Sequence, residues 1–519
     1  MVPVAVDNSG MPSQPAPKPR GPRRGVLQKS LEQLQRNWRA ELHRSIPGML
    51  LSLIVHTCIF LVMGLIVYQV QTDSMPPMTD MLWGEDIGDG TDFELGNFEM
   101  TSGVEVNIDD NLPSLPSSEQ MLDLTMPSLD LTAPLKTTTA IPQKATFGNV
   151  FSGRSSGQQG ERIRQSGGNP NATRTIRMSL EWIARQQQKD GRWQFHEGYP
   201  QASPGSRCDA AATGLALLTF LGAGSTPKDG DYRREVYQGI KWLLEHQKRN
   251  GNLDQGDGPS ISVIYSHAIA TIALCECYAM TGDPEMKSAC ENAIRYLDEA
   301  QLRGEGGWRY GILSPGSGGD LSVTGWALMA LQTARVAGIE VEPRIFRKST
   351  GFLNRLESSD PWLYSYTPGR SPTLSMTAEG LVCRQWMGME PNSKIMRNGI
   401  SYLTRPQNLP QWKEGRRNVY AWYYLAHALH NNGGETWKEW YGYTQKILME
   451  QQLLVPSEET PGDIVGSWHP HTPQGDGHDY GDRWGRLYVT CLCTLILETP
   501  FRHLPLYEVA DLENTTKKR

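Results

Sequence analysis

Six short apolar stretches rich in small residues recur through the C-terminal two-thirds of the chain: CDAAATGLALLTFLGAG (208–224), SHAIATIALCECYAMTG (266–282), DLSVTGWALMALQTARVAG (320–338), TLSMTAEGLVCRQWMG (373–388), NVYAWYYLAHALHNNG (418–433) and RLYVTCLCTLILE (486–498). Aligned on one another they put Thr213, Thr271, Thr324, Thr377, Tyr420 and Thr490 at one position, 43 to 70 residues apart. Each is preceded by a second helical pattern that opens on an aromatic or aliphatic pair: Trp182-Ile183, Trp242-Leu243, Tyr296-Leu297, Phe352-Leu353, Tyr402-Leu403 and Ile447-Leu448. A period of this size is one supersecondary unit repeated, each unit burying its face on the next. The loops carry turn chemistry (DG, GDG, GDP, SPGSGG, PQGDGHDYGD), and nothing here reads as a strand of useful length. The expectation is an all-α fold in which six helical hairpins over residues 172–508 close into an (α/α)6 toroid, followed by a short tail, 509–519.

The first third of the chain is different. Residues 1–47 hold eight Lys and Arg, and residues 71–135 hold fourteen Asp and Glu with no Lys, Arg or His. Between the two blocks, residues 47–70 (PGMLLSLIVHTCIFLVMGLIVYQV) carry no formal charge. At 1.5 Å per residue this stretch exceeds the roughly 30 Å hydrocarbon core of a bilayer. The basic flank places the N-terminus in the cytoplasm. No small-residue cleavage site follows, and the leader is long for a signal peptide. The expected arrangement is a single-pass anchor in the inner (cytoplasmic) membrane with everything after residue 70 in the periplasm. Within the basic segment, 1–46, Val26, Leu27, Leu31, Leu34, Trp38 and Leu42 are spaced as an amphipathic helix. It reads either as a helix flat on the inner leaflet or as an ordinary juxtamembrane helix. Residues 71–171, acidic and rich in Pro, Gly and Ser, read as a disordered linker.

A net charge of −6 gives no basic footprint for nucleic acid. Of eight cysteines, Cys58 falls in the membrane segment, and the other seven lie in or near the repeats, at helical positions and in odd number. That is the pattern of small buried residues, not of a disulfide framework. The CxC pairs, Cys275/Cys277 and Cys491/Cys493, face different sides of a helix and make a poor zinc site.

The string WIARQQQKDGRW (182–193) resembles the QW repeat of squalene and oxidosqualene cyclases and of prenyltransferase β subunits, with weaker copies in WLLEHQKRNGNL (242–253), YLDEAQLRGEGGW (296–308) and, split by an insertion, ILMEQQ…GSW (447–468). The glutamine of such a repeat can bond free backbone groups of the next unit while the tryptophan packs under the glycine turn. The resemblance implies a squalene-cyclase-like α/α toroid of a divergent bacterial branch. It does not carry over either chemistry. In the Asp-x-Asp-Asp-Thr run of squalene-hopene cyclases the central Asp protonates the alkene; here the run is Asp320-Leu321-Ser322-Val323-Thr324, with Ser322 at the acid position. The last zinc motif of prenyltransferase β subunits resembles Tyr488-Val489-Thr490-Cys491-Leu492-Cys493, with Val489 where the zinc histidine belongs. Neither a metal nor a cofactor is implied.

Other uses of the ring rest on the residue four before each aligned position: Asp209, His267, Asp320, Thr373, Arg416 and Arg486. On parallel inner helices these would encircle one mouth, where helix N-termini also converge. Asp209, His267, Asp320, Arg416 and Arg486 are the candidates for proton transfer or for holding an anion, against the alternative of N-caps and solvated charges. Tyr420, Trp422 and Tyr488 are candidates to line a ligand cavity. The loop 466–486, with three histidines and three aspartates, reads as a lid more than as a metal site. Three functions stay open: a toroid that binds an isoprenoid or another extended ligand without turnover, a polysaccharide lyase- or hydrolase-like enzyme, and a scaffold driven by a proton motor. The last rests on Ser52 and His56, one turn apart in the membrane segment. That segment resembles the transmembrane helix of TonB-type proteins, which implies an ExbB/ExbD-type motor as partner.

Overall fold

The computed structural model describes residues 151–196, 207–259, 262–311, 318–454 and 464–503. The basic segment, the membrane segment with Ser52 and His56, most of the linker and the C-terminal tail lie outside the described residues. Among these residues a short helix, α1 (Ser156–Gln165), leads into six hairpins. They are α2 (Ala172–Arg185) with α3 (Asp209–Gly222), α4 (Arg233–His246) with α5 (Val263–Thr281), and α6 (Pro284–Ala300) with α7 (Leu321–Val336). The remaining three are α8 (Pro343–Leu356) with α9 (Leu374–Trp386), α10 (Lys394–Leu403) with α11 (Val419–Asn432), and α12 (Gly434–Gln451) with α13 (Gly481–Arg502). The odd-numbered helices α3 to α13 form an inner ring in which each packs on the next and α13 returns onto α3. The even-numbered helices α2 to α12 lie outside. There is no strand among the described residues, only isolated backbone bridges such as Trp308 with Asp320. The fold is the expected (α/α)6 toroid.

Inner and outer helices differ in the way their sequences require. Every residue of α3 except Asp209 is buried, whereas α4 buries only Val236, Gly239, Ile240, Trp242 and Leu243. A helix apolar all round belongs in an interior, and one with a single apolar stripe belongs on its surface. This also accounts for α5, which is long and apolar enough to cross a membrane but has 89% of its apolar window buried in the ring.

The repeated glutamine and tryptophan act as a joint between units. Gln187 Nε2 donates to Gly191 O at 2.8 Å and to Glu235 O on the next outer helix at 2.9 Å. Gln247 does the same with Gly251 and Ala289, and Gln301 with Gly306 and Ile345. Gln452 joins Gly466 to Thr175, which ties the last unit to the first and closes the ring. The Trp193, Trp308 and Trp468 indoles donate back to their own outer helix, at Ile183, Leu297 and Leu448. The threonines complete the joint: Thr213, Thr324, Thr377 and Thr490 accept the backbone N–H of Trp193, Trp308, Tyr364 and Trp468.

Two units depart from that alignment. In α5 the loop N–H, from Leu253, goes to His267 Nδ1 at 3.1 Å, so His267 and not Thr271 holds the threonine place. In α11 the N-cap is Asn418, which accepts from Ala421 N as Asp320 accepts from Val323 N and Thr373 from Met376 N. Tyr420 is therefore level with Ser322, two residues before the threonine position. The α13 helix breaks at Gly485, whose φ of 73° is a left-handed conformation that glycine adopts without strain, so its inner stretch starts at Arg486.

Candidate functional site

Residues near inner-helix N-termini meet one another at one end of the ring, and residues near the C-termini meet at the other, so the inner helices run parallel and leave two mouths. The N-terminal mouth is closed by its own side chains. Ser322 Oγ and Tyr420 OH lie 2.6 Å apart, and Tyr420 OH donates to Glu379 Oε2 at 3.2 Å. Glu379 is fully buried, which pushes its carboxyl pKa well above the usual range. A Cβ at Gly325 would collide with Glu379 Oε1, so glycine is what admits the acid to the ring. Beside this network Phe195, Tyr265, Trp484 and Tyr488 leave a cavity of about 10 Å³, room for one water at most.

The sequence-derived site residues do not form one cluster: Asp209, Asp320 and Arg486 stand near this mouth with separate partners, and His267 and Arg416 do not. Asp320 is fully buried, accepts from Arg309 Nη1 at 3.1 Å, and has its pKa pushed up to about 7 by burial against the opposing pull of Arg309. Arg309 also donates to Tyr366 OH, which sits 2.5 Å from Tyr310 OH. Asp209 pairs instead with Arg192 at 3.0 Å, and burial and then Asp257 raise its pKa. His267 is not at the mouth. With Nδ1 taken by Leu253 N and Nε2 bonded to Ala293 O at 3.0 Å, it is a structural joint, held neutral by burial with a pKa near 3. Arg416 is on the surface, bonded to Gln407 O; its neighbour Arg417 is the buried one, paired with Asp479 at 2.8 Å and donating to His469 O. Arg486 is buried and donates to Ser467 Oγ and Trp468 O. The spacing argument failed at Arg416 because α11 is offset by two residues from the assumed register.

Of the aromatic candidates, Tyr420 and Tyr488 are part of the closure, and Trp422 packs on Trp412 with ring centroids 6.0 Å apart. In the loop 466–486, Asp479 is spent on Arg417, His471 meets Asp482 at 2.9 Å, and His469 Nδ1 accepts two backbone N–H groups. Among the described residues no group of three or more histidines, cysteines or acids is arranged to hold a metal ion. The seven described cysteines are buried and free.

Among the described residues the C-terminal mouth is open. A cavity of about 100 Å³ lies there, walled by Ile272, Met329, Val336, Trp386 and Tyr423 and carrying Gln332, His427 and Asn431. Beneath it four buried charged groups meet. Glu276 bonds Arg154 at 2.5 Å and Arg502 at 2.7 Å, and Arg502 lies 3.8 Å from Glu498. Arg154 also donates to Leu221 O and Arg502 O, satisfying carbonyls at helix ends. Burial lowers the Arg154 pKa to about 10 and raises that of Glu498 well above normal. Sequence reasoning missed this cluster, although Glu276, Glu379 and Glu498 each interrupt an otherwise apolar inner helix, a signal that an acid is buried with a partner.

Residues 163–258 match the family model of the squalene-hopene cyclase C-terminal domain. No curated protein sequence matches the chain. Similar solved structures include the type II terpene cyclase MstE from Scytonema, in complex with geranylgeranyl dihydroxybenzoate, at 13% identity and a TM-score of 0.42, covering 68% of this chain and 99% of that one. An inactive variant of the α-1,6-mannanase of Salegentibacter sp. HEL1_6, bound to α-1,6-mannotriose, matches at 12% identity and 0.43, covering 63% and 98%. The cellobiose 2-epimerase from Spirochaeta thermophila matches at 15% and 0.45, covering 62% and 93%. The chain carries a squalene-cyclase-like α/α toroid, as the repeat motif implied. The substrates of those three proteins are their own.

Proposed function

We propose that this chain is a membrane-anchored, extracytoplasmic ring that binds part of an extended ligand, an isoprenoid or a glycan, in the cavity at its C-terminal mouth, without cyclising or prenylating it. The observation that carries this reading is the contrast between that open cavity and the N-terminal mouth, where Ser322 stands at the acid position and is capped by Tyr420. A serine hydroxyl is far too weak an acid to protonate an alkene. The anchor in this reading is residues 47–70, which carry no charge and are long enough to cross a bilayer. Mass spectrometry of the full chain, extracted from membranes in mild detergent, is expected to find a lipid or glycan in stoichiometric amount; a bare protein would count against it. A reporter active only outside the cytoplasm, fused at the C-terminus, is expected to be active, and an inactive, well-expressed fusion would reverse the topology.

A catalytic reading has one observation in its favour. Asp320, with its pKa near 7, exchanges a proton close to neutrality beside Arg309 and Tyr366. It does not line the open cavity, which keeps this reading second. Coupling to an ExbB/ExbD-type motor through Ser52 and His56 is compatible with ligand binding, since such a motor would act on the anchor and not on the ring.

A further inference from the structure

The wall of the open cavity is amphipathic in a specific way. Trp386, Tyr423, Met329 and Val336 supply its apolar part. One turn along the same helices from Met329 and Tyr423 stand Gln332 and His427, with Asn431 a turn beyond His427, and all three have unused hydrogen-bonding capacity. His427 is 9% exposed and contacts Tyr423 and His503 only through its ring; among the described residues neither of its nitrogens has a hydrogen-bond partner. Gln332 accepts from Arg335, and its amide nitrogen has no partner among the described residues. Asn431 donates to Gln385 Oε1 and keeps its own oxygen as an acceptor. These atoms face the cavity, so an occupant's hydroxyls can take the place of water on each of them.

The charge of the cavity disfavours one class of occupant. Its two formal charges, Glu276 and Arg502, face each other at 2.7 Å. Arg502 also donates to His503 at 3.0 Å and to Leu218 O. His427 is held neutral: burial, followed by repulsion from Arg502 and His430, lowers its pKa to about 3. The cavity lining therefore carries no net charge to favour a phosphate or carboxylate. The volume limits what can enter. At about 100 Å³ the cavity has room for a small group at the end of a ligand and not for the whole of a long chain.

Resting on the reading that this cavity holds the ligand, we infer that its occupant is a single neutral sugar residue, the end of a glycan, packed against Trp386 and Tyr423 with its hydroxyls on His427, Gln332 and Asn431. A hydrocarbon of the same size would offer nothing to the His427 nitrogens, the Gln332 amide nitrogen or the Asn431 oxygen. A hydroxylated ring satisfies them while keeping an apolar face for the aromatics.

The test is titration of the full-length chain in detergent, read by tryptophan fluorescence and calorimetry. The probes are methyl α-mannopyranoside, methyl β-glucopyranoside and N-acetylglucosamine as neutral sugars, glucuronate as an anion, and farnesol as an apolar chain. Saturable binding of at least one neutral sugar is expected, with glucuronate weaker. His427→Phe, which keeps the ring packing on Tyr423 and removes both nitrogens, is expected to weaken it about tenfold. Trp386→Leu tests the aromatic face independently should His427→Phe fail to fold. Sugar binding undiminished by the variant that folds overturns the inference. Farnesol binding without sugar binding also overturns it but leaves the ligand-binding ring intact, whereas a chain that binds no probe and purifies bare overturns both.

Discussion

The two mouths of the ring are built from equivalent positions on the same six repeats, yet they handle polar groups in opposite ways. At the N-terminal mouth the centre is filled by neutral hydroxyls and rings, Ser322, Tyr265, Tyr420 and Tyr488, and the charged groups form separate pairs around it, two of them partly exposed, with Arg309 at 13% and Arg192 at 31%, and one, Arg417 with Asp479, buried. At the C-terminal mouth the charges are the floor: Arg154, Glu276, Glu498 and Arg502 are all 3% exposed or less, and the space above them is open. Helix ends explain part of this. At inner-helix N-termini the free N–H groups are satisfied by short caps such as Asp320, Thr373 and Asn418, which need little room. At the C-termini the free carbonyls need donors, and arginines long enough to reach several of them bring a charge that acids must balance. A closed mouth can be assembled from small caps and tyrosines; the arginine floor leaves a depression above it.

The comparison implies that removing a charge is far more damaging at the floor than at the partly exposed pairs. Glu276→Gln leaves Arg154 and Arg502 facing each other with only Glu498 nearby, and Arg502 already repels Arg154. Breaking a buried pair in this way costs about 3–5 kcal/mol. Chemical unfolding of the variant should show a loss of that order, with sugar binding weakened in whatever remains folded, because Arg502 and His503 border the cavity. A loss of less than about 1 kcal/mol, the scale of a surface pair, would mean that the floor is hydrated and that the two mouths do not differ as described.

The repeats made the ring legible in advance, because a joint that recurs every few dozen residues leaves the same residue types at the same spacing. Gln187, Gln247, Gln301 and Gln452 do in space what their spacing implied. The site was less legible for the same reason. Aligning repeats by residue type assumes that each unit solves the joint alike, and two do not: His267 takes over from Thr271, and Asn418 shifts α11 by two residues. Those two offsets sent His267 into the wall and Arg416 onto the surface. The open cavity was not foreseen at all. Its polar members, Gln332 on α7 and His427 and Asn431 on α11, stand at positions no motif marks, and only the closed ring brings the two helices together.

Asp320→Asn is the smallest perturbation and the one that tests a partly exposed pair directly. Asparagine caps a helix about as well as aspartate, so the bond to Val323 N survives and the stability loss should not exceed about 1–2 kcal/mol. The pH dependence carries more information than the size. Asp320 ionises near pH 7 in the folded chain, against 3.8 for an ordinary aspartate, with burial the largest cause and Arg309 opposing it. The folded state therefore holds this proton where the unfolded chain has released it. The group's stabilising contribution is complete below about pH 4 and is lost as pH rises towards and through 7. The variant has no such proton, so its deficit relative to the parent should shrink from pH 5 to pH 8. A deficit that instead stays constant over that range would show Arg309 outweighing burial, with the carboxylate ionised throughout. Sugar affinity should be unchanged in either case, because Asp320 lies at the closed mouth and does not line the cavity. A fall in affinity on Asp320→Asn alone would place the ligand at the N-terminal mouth and invert the assignment of the two ends.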